Sequence, residues 1–172
     1  MKTLTVISSA LLALSLSHSA LAACNANILK TKPDTIYTDN GDGTVTDTET
    51  GLMWDKCTWG LSGSNCSSGT ASQYTWVAAL AAAQTANAAD YLGYSDWRLP
   101  NVAELRSLVE SACYNPSINE ALFPGTQGSA YWSASAVAND SGGAWIVYFG
   151  SGNETGSVKS DSRYARLVRA GQ

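Results

Sequence analysis

Few side chains in this sequence can do chemistry, and the scarcest is histidine. The one histidine, His18, falls inside an N-terminal stretch that reads as a secretory signal peptide. Lys2 supplies its positive start, Leu4 to Leu16 an apolar run too short to span a bilayer, and Ala20-Leu21-Ala22 a small-x-small cleavage site. Removal of residues 1–23 would leave a single mature domain, 24–172, with no histidine. That excludes Ser–His and Cys–His nucleophilic catalysis and any zinc site built on imidazole. Catalysis would fall to carboxylates, lysine or tyrosine. Asp96, Glu104, Asp140, Glu154 and Asp161 are candidates for a glycosidase pair. Nothing in their spacing selects two of them, so no enzyme and no catalytic residue is expected.

The acidic stretch after Tyr37 also suggests calcium. Counted from Thr38, Asn40, Asp42, Gly43, Val45 and Glu49 fall on the third, fifth, sixth, eighth and twelfth places of an EF-hand loop. Thr38 stands where the first place needs Asp, and no long helix flanks the stretch. The expectation is a turn rich in Asp, Asn and Gly, with no metal and no cofactor.

The four cysteines are Cys24, Cys57, Cys66 and Cys113. An even number in an exported chain implies two disulfides. Cys57 and Cys66 flank a Gly/Ser-rich loop and are paired locally, which joins Cys24 to Cys113. In the chain-entropy model the long closure stabilises by about 4.5 kcal/mol and the short one by under about 3. Leu21-Ala22-Ala23-Cys24 also resembles a lipoprotein box. Lipidation of Cys24 would leave three thiols, so a lipid anchor is the alternative localisation to a free periplasmic, surface or extracellular protein.

Loss of Lys2 with the signal leaves 9 basic against 14 acidic residues, a net charge of −5. That opposes a nucleic-acid partner, whose backbone needs clustered Lys and Arg. No later stretch approaches the roughly 20 apolar residues of a transmembrane helix.

The elements that must position these groups read as α+β. After an arm with Pro33, Tyr37 to Trp54 reads as a small meander: a turn at Asn40–Gly43, a strand at Thr44–Asp47, a turn at Thr48–Gly51 and a strand at Leu52–Trp54. Thr75 caps a helix to Ala88 or Ala89, with Trp76, Leu80 and Ala83 as its buried stripe. In Asp96-Trp97-Arg98-Leu99-Pro100-Asn101, Trp97 and Leu99 alternate like the inner face of a strand, and Pro100 stops it. Asn101 and Glu104 form a capping pattern for a second helix, Val102 to Ser111. On that helix Glu104, Arg106 and Glu110 are expected in solvent, with an Arg106–Glu110 pair. The joint predicts buried Trp97 and Leu99, and an acidic or carbonyl partner for Arg98.

The last third is strand and turn: Ala130–Ser135, Gly143–Phe149, a strand to about Lys159, and Tyr164–Arg169. Trp145, Val147 and Phe149 are expected toward the core. Ala144, Ile146 and Tyr148 would face solvent or a ligand.

Thr38 to Asp47, Gly51-Leu52-Met53-Trp54, Tyr74-Thr75-Trp76, Ser95 to Asn101 with Glu104-Leu105, Tyr131-Trp132-Ser133 and Arg166-Leu167-Val168-Arg169 occur in this order. The ordered set resembles the Lcl C-terminal domain family (DUF1566), across essentially the whole mature chain. The resemblance implies a C-type-lectin-like fold, distantly similar to formylglycine-generating enzymes, with two helices on antiparallel sheets and a structural Cys24. The Glu-Pro-Asn, Gln-Pro-Asp and Trp-Asn-Asp motifs of calcium-dependent sugar-binding lectins are absent. So is any cysteine beyond Cys113, where those enzymes keep their catalytic thiols. The domain in the collagen-like adhesin of this family is associated with sulfated glycans, an inheritance that the negative charge here opposes.

The resulting expectation is an exported binding or adhesion module that presents its last sheet and loops to a glycan or protein. The candidate ligand residues are Asn139, Asp140, Tyr148, Asn153, Asp161, Arg163 and Tyr164, because exposed aromatics beside amides and carboxylates suit sugars and protein surfaces alike. The alternative is a structural subunit of a surface assembly, an oligomer included, with no small ligand.

Overall fold

The computed structural model describes residues 23–171. The expected signal peptide lies outside them, apart from Ala23. The chain runs β1 (Ala23–Cys24), β2 (Tyr37–Asp39), β3 (Thr44–Asp47), β4 (Leu52–Asp55), β5 (Leu61–Ser62), β6 (Ser68–Gly69), α1 (Trp76–Ala88), α2 (Val102–Arg106), β7 (Cys113–Tyr114), β8 (Ala130–Val137), β9 (Asp140–Tyr148), β10 (Asn153–Val158) and β11 (Val168–Ala170). All named strand pairings are antiparallel. The protein is thus α+β, as expected.

One sheet has the order β11-β4-β3-β2, so the chain's last strand pairs with the expected meander. A second has the order β10-β9-β8. Between them Val45, Trp54, Leu105, Phe123, Tyr131, Val147 and Phe149 form the main core. Both expected disulfides are present, Cys24–Cys113 and Cys57–Cys66. The first sits across the β1–β7 pair and ties the N-terminal arm to the segment after α2.

The Thr75 hydroxyl accepts the Ala78 N–H and caps α1. The buried face of α1 is Ala79, Ala82, Ala83 and Ala86, which keeps Ala83 of the expected stripe and corrects its other two members. Trp76 and Leu80 are only half-buried at its margin. Alanines bring the helix axis close to β8, and Trp76 is turned instead to donate its Nε1–H to the Ser133 carbonyl at 2.9 Å.

The Asp96–Asn101 joint is as expected. Trp97 and Leu99 are buried. The side-chain amide of Asn87 on α1 bridges both backbone groups of Trp97, at 2.7 and 2.9 Å. Arg98 forks onto Glu104 with two bonds of 2.7 Å. The reciprocal Asn101–Glu104 capping box is formed.

The second helix is shorter than expected and ends at Arg106. Val109 instead bridges Ile118. Glu110 is fully buried rather than in solvent. Its carboxylate accepts the N–H groups of Thr31, Lys32 and Ala112 and the Thr31 hydroxyl. A carboxylate with that many donors available from the N-terminal arm gains more inward than a solvated helix turn offers. Arg106 therefore pairs with Glu154, not Glu110.

The sheet faces also differ from expectation. Ala144 and Ile146 are buried, packed with Ala79, Leu99 and Trp132. Trp145 is half-buried and Tyr148 is exposed. Period-two alternation predicts one open face only when nothing covers it. Here α1 and the Leu99 joint cover it.

Candidate functional site

The structure distributes the expected ligand residues over two ends of the β8–β10 sheet. Asn139 and Asp140 lie at the β8–β9 turn, and Asp140 Oδ1 accepts the Gly142 N–H. Asp161 and Arg163 follow β10 near the same end, and register places Val158 opposite Gly143. They bond to each other at 2.8 Å, and both bond the Ser157 hydroxyl. Tyr164 is half-buried against the Tyr131 ring, with centroids 5.5 Å apart. Tyr148 and Asn153 face one another across the β9–β10 turn, at the other end.

Tyr148 and Asn153 share a concave surface. It is an open groove of about 600 Å³ lined by Arg106, Tyr148, Ser151, Gly152, Asn153, Glu154 and Thr155. Arg106, at the end of α2, donates to Glu154 at 3.3 Å. The Tyr148 ring lies over Gly150: a Cβ built there would come within 2.4 Å of the ring. Glycine at 150 therefore lets the hydroxyl end of the phenol lie against the main chain while the residue stays 43% exposed. This is a pre-oriented aromatic platform with an amide, a carboxylate and a guanidinium beside it.

The carboxylates considered for catalysis are bound to separate partners. Asp96 is held by Arg169, Glu104 by Arg98, Glu154 by Arg106, Asp161 by Arg163, and Asp140 by a backbone N–H. The side chains on the EF-hand-like register are likewise dispersed. Asn40 bonds Thr44 and Thr46, Asp42 caps Thr44, and Glu49 pairs with Lys32. Among the described residues no group of three His, Cys, Asp or Glu converges as metal ligands would.

Sequence reading missed a second charged constellation. Arg166 is fully buried and donates to the carbonyls of Asp55 and Lys56 and to the Thr126 hydroxyl. Asp55 is buried beside it and accepts the Cys57 N–H at 2.9 Å. Burial pushes the Asp55 carboxyl up to about 7, against the pull of that bond and of Arg166. Lys56 Nζ reaches Asp39 Oδ2 at 2.6 Å and, with the carboxyl's backbone bond to Gly41, holds Asp39 below the usual carboxylate range. Asp55 ends β4 and Lys56 follows it, and an acidic-basic pair there gives no periodic signal of burial.

The Arg and Asp residues quoted in the ordered motifs thus build the frame. Arg169 binds Asp96 and lies 4.0 Å over the Tyr94 ring. Arg98 binds Glu104, and Arg166 ties β8's approach to the end of β4. No curated protein matches the chain. The model of the Lcl C-terminal domain matches residues 43–169, which include β3, both helices, the Asp96–Asn101 joint and the Tyr148 groove. The chain belongs to the Lcl C-terminal domain family.

Proposed function

We propose that the protein is an exported binding module of C-type-lectin-like build, not an enzyme, that takes a glycan or protein surface at the β9–β10 turn. The observation that carries this reading is the seating of Tyr148 over Gly150, beside Asn153 and the Arg106–Glu154 pair. An immobilised aromatic face stacks on the apolar face of a sugar or an extended peptide at little entropic cost, and the flanking groups supply both donors and acceptors. Export is supported by the two disulfides. No helix among the described residues is long and apolar enough to cross a membrane. The proposed location is the periplasm, cell surface or medium, with no metal or other cofactor.

A glycan array combined with pull-down from envelope fractions tests this reading. Binding that Tyr148→Ala reduces by about tenfold, in a protein with unchanged circular dichroism, is the expected result. Undiminished binding by Tyr148→Ala and Asn153→Ala overturns the site.

The edge strand β10 favours a second reading, a subunit of a surface assembly. Residues Asn153 to Gly156 are exposed along it, and exposed edges invite pairing with another chain. A stable oligomer on size exclusion that charge insertion at Thr155 dissolves would favour this reading.

A further inference from the structure

A cavity of about 330 Å³ lies between the β2–β3 turn, the disulfide loop and the turn after α1, and shares no lining residue with the Tyr148 groove. We propose that it is a second binding site, for a neutral, hydroxyl-rich ligand of one or two sugar rings. Lys56 and Asp39 would serve as a paired donor and acceptor, and Tyr91 and Leu92 as the apolar wall.

The charges in the cavity select this chemistry. Lys56 and Asp39 already neutralise each other at 2.6 Å, and the Lys56 side chain is only 10% exposed. An ammonium carries three donors, so Lys56 keeps donors beyond the one spent on Asp39. A hydroxyl both donates and accepts, and a vicinal diol can therefore bridge such a pair without breaking it. An anion would face Asp39 and Asp42 together. A metal ion finds no three converging ligands among the described residues.

A buried carboxyl stands behind the same cavity. Asp55 is 1% exposed and its Oδ1 accepts the Cys57 N–H. The Tyr91 hydroxyl is a hydrogen-bonding neighbour of this carboxyl.

The walls are pre-formed. Leu92 adopts a left-handed φ of 54°, a conformation that non-glycine residues rarely hold unless the surroundings fix it. It packs against Gly43, where an added Cβ would meet Leu92 Cδ2 at 2.9 Å. The opposite wall, Ser62 to Ser64, is held by the Cys57–Cys66 bond.

The test is a titration of the ¹⁵N-labelled mature protein, read by amide shifts. Its probes are methyl glucoside, galactoside and mannoside, N-acetylglucosamine and their disaccharides, with ethanolamine, inorganic phosphate and calcium as charged probes. A neutral sugar is expected to shift the amides of Gly41, Gly43 and Gly63. Lys56→Met should weaken it about tenfold or more. Ser64→Trp, on an exposed loop position that tolerates bulk, should block it. Tyr148→Ala should leave these shifts unchanged, which separates failure here from failure of the groove. Shifts produced only by a charged probe, or by no sugar of the panel, overturn the proposal.

Discussion

Arg169 and Asp96, seventy-three residues apart, are joined by Nε to Oδ1 at 2.6 Å and Nη2 to Oδ2 at 3.2 Å. The guanidinium is nearly buried and stacked on Tyr94, while the carboxylate stays half in water. The last strand is thereby clamped to the joint that precedes α2. Lysine cannot reproduce both the fork and the stacking. Arg169→Lys should therefore lower stability by about 2 kcal/mol, and Asp96→Ala by about 1, since water replaces part of the lost pairing. Urea unfolding at neutral pH checks both, and equal losses would contradict the asymmetry.

Glu110 anchors the N-terminal arm, and its effect has a definite pH sign. Burial pushes its carboxyl up, but the N–H groups of Ala112, Lys32 and Thr31 outweigh this and hold it below the ordinary value. The unfolded chain therefore binds the proton first, near pH 4.3. Stability from this group is complete above that pH and is lost as pH falls through the folded value. Glu110→Gln should cost about 2–3 kcal/mol at pH 7. Urea curves should show the gap between variant and wild type closing below about pH 4.

Asp55 has the opposite sign. Its folded value of about 7 lies above the unfolded one, so between about pH 4 and 7 the native state binds more protons than the unfolded state. Its contribution to stability falls as pH rises through that window. Asp55→Asn keeps the acceptor for the Cys57 N–H and removes the ionisation. Thermal melts should show the variant gaining on wild type between pH 5 and pH 8. A constant offset would show that Asp55 is already ionised at pH 5.

The platform at Tyr148 depends on the residue beneath it. Gly150 has no left-handed φ, so alanine is allowed by the backbone but would lift the ring. Gly150→Ala should weaken binding to any ligand of the β9–β10 groove nearly as much as Tyr148→Ala, with a small stability change. Parallel binding isotherms for the two variants and wild type check this.

The two disulfides should differ in weight. Cys24–Cys113 spans 89 residues and Cys57–Cys66 spans 9. Replacing the first pair by serine should cost about 4.5 kcal/mol and the second under about 3. Denaturant midpoints of the two double variants give the order. The second replacement should also abolish the sugar-dependent shifts at Gly63, since that loop forms a wall of the cavity.

Local chemistry determined much of this protein without its coordinates. Turn residues at Asn40–Gly43, the Thr75 and Asn101 caps, the Pro100 stop and the parity of four cysteines each act within a few residues or by elimination. Their outcomes were therefore legible: the meander, both helix starts, the joint and both bridges. The tertiary structure alone decided what required distant segments to meet. Glu110 is buried because the backbone of Thr31 and Lys32 arrives to donate to it. Ile146 is buried because α1 lies on its face. Asp55, Lys56 and Tyr91 share a cavity because β4, the disulfide loop and the turn after α1 converge there. Alternation and propensity describe one segment at a time. A buried carboxylate depends on which donors reach it from elsewhere in the chain, and the sequence around it carries no trace of them.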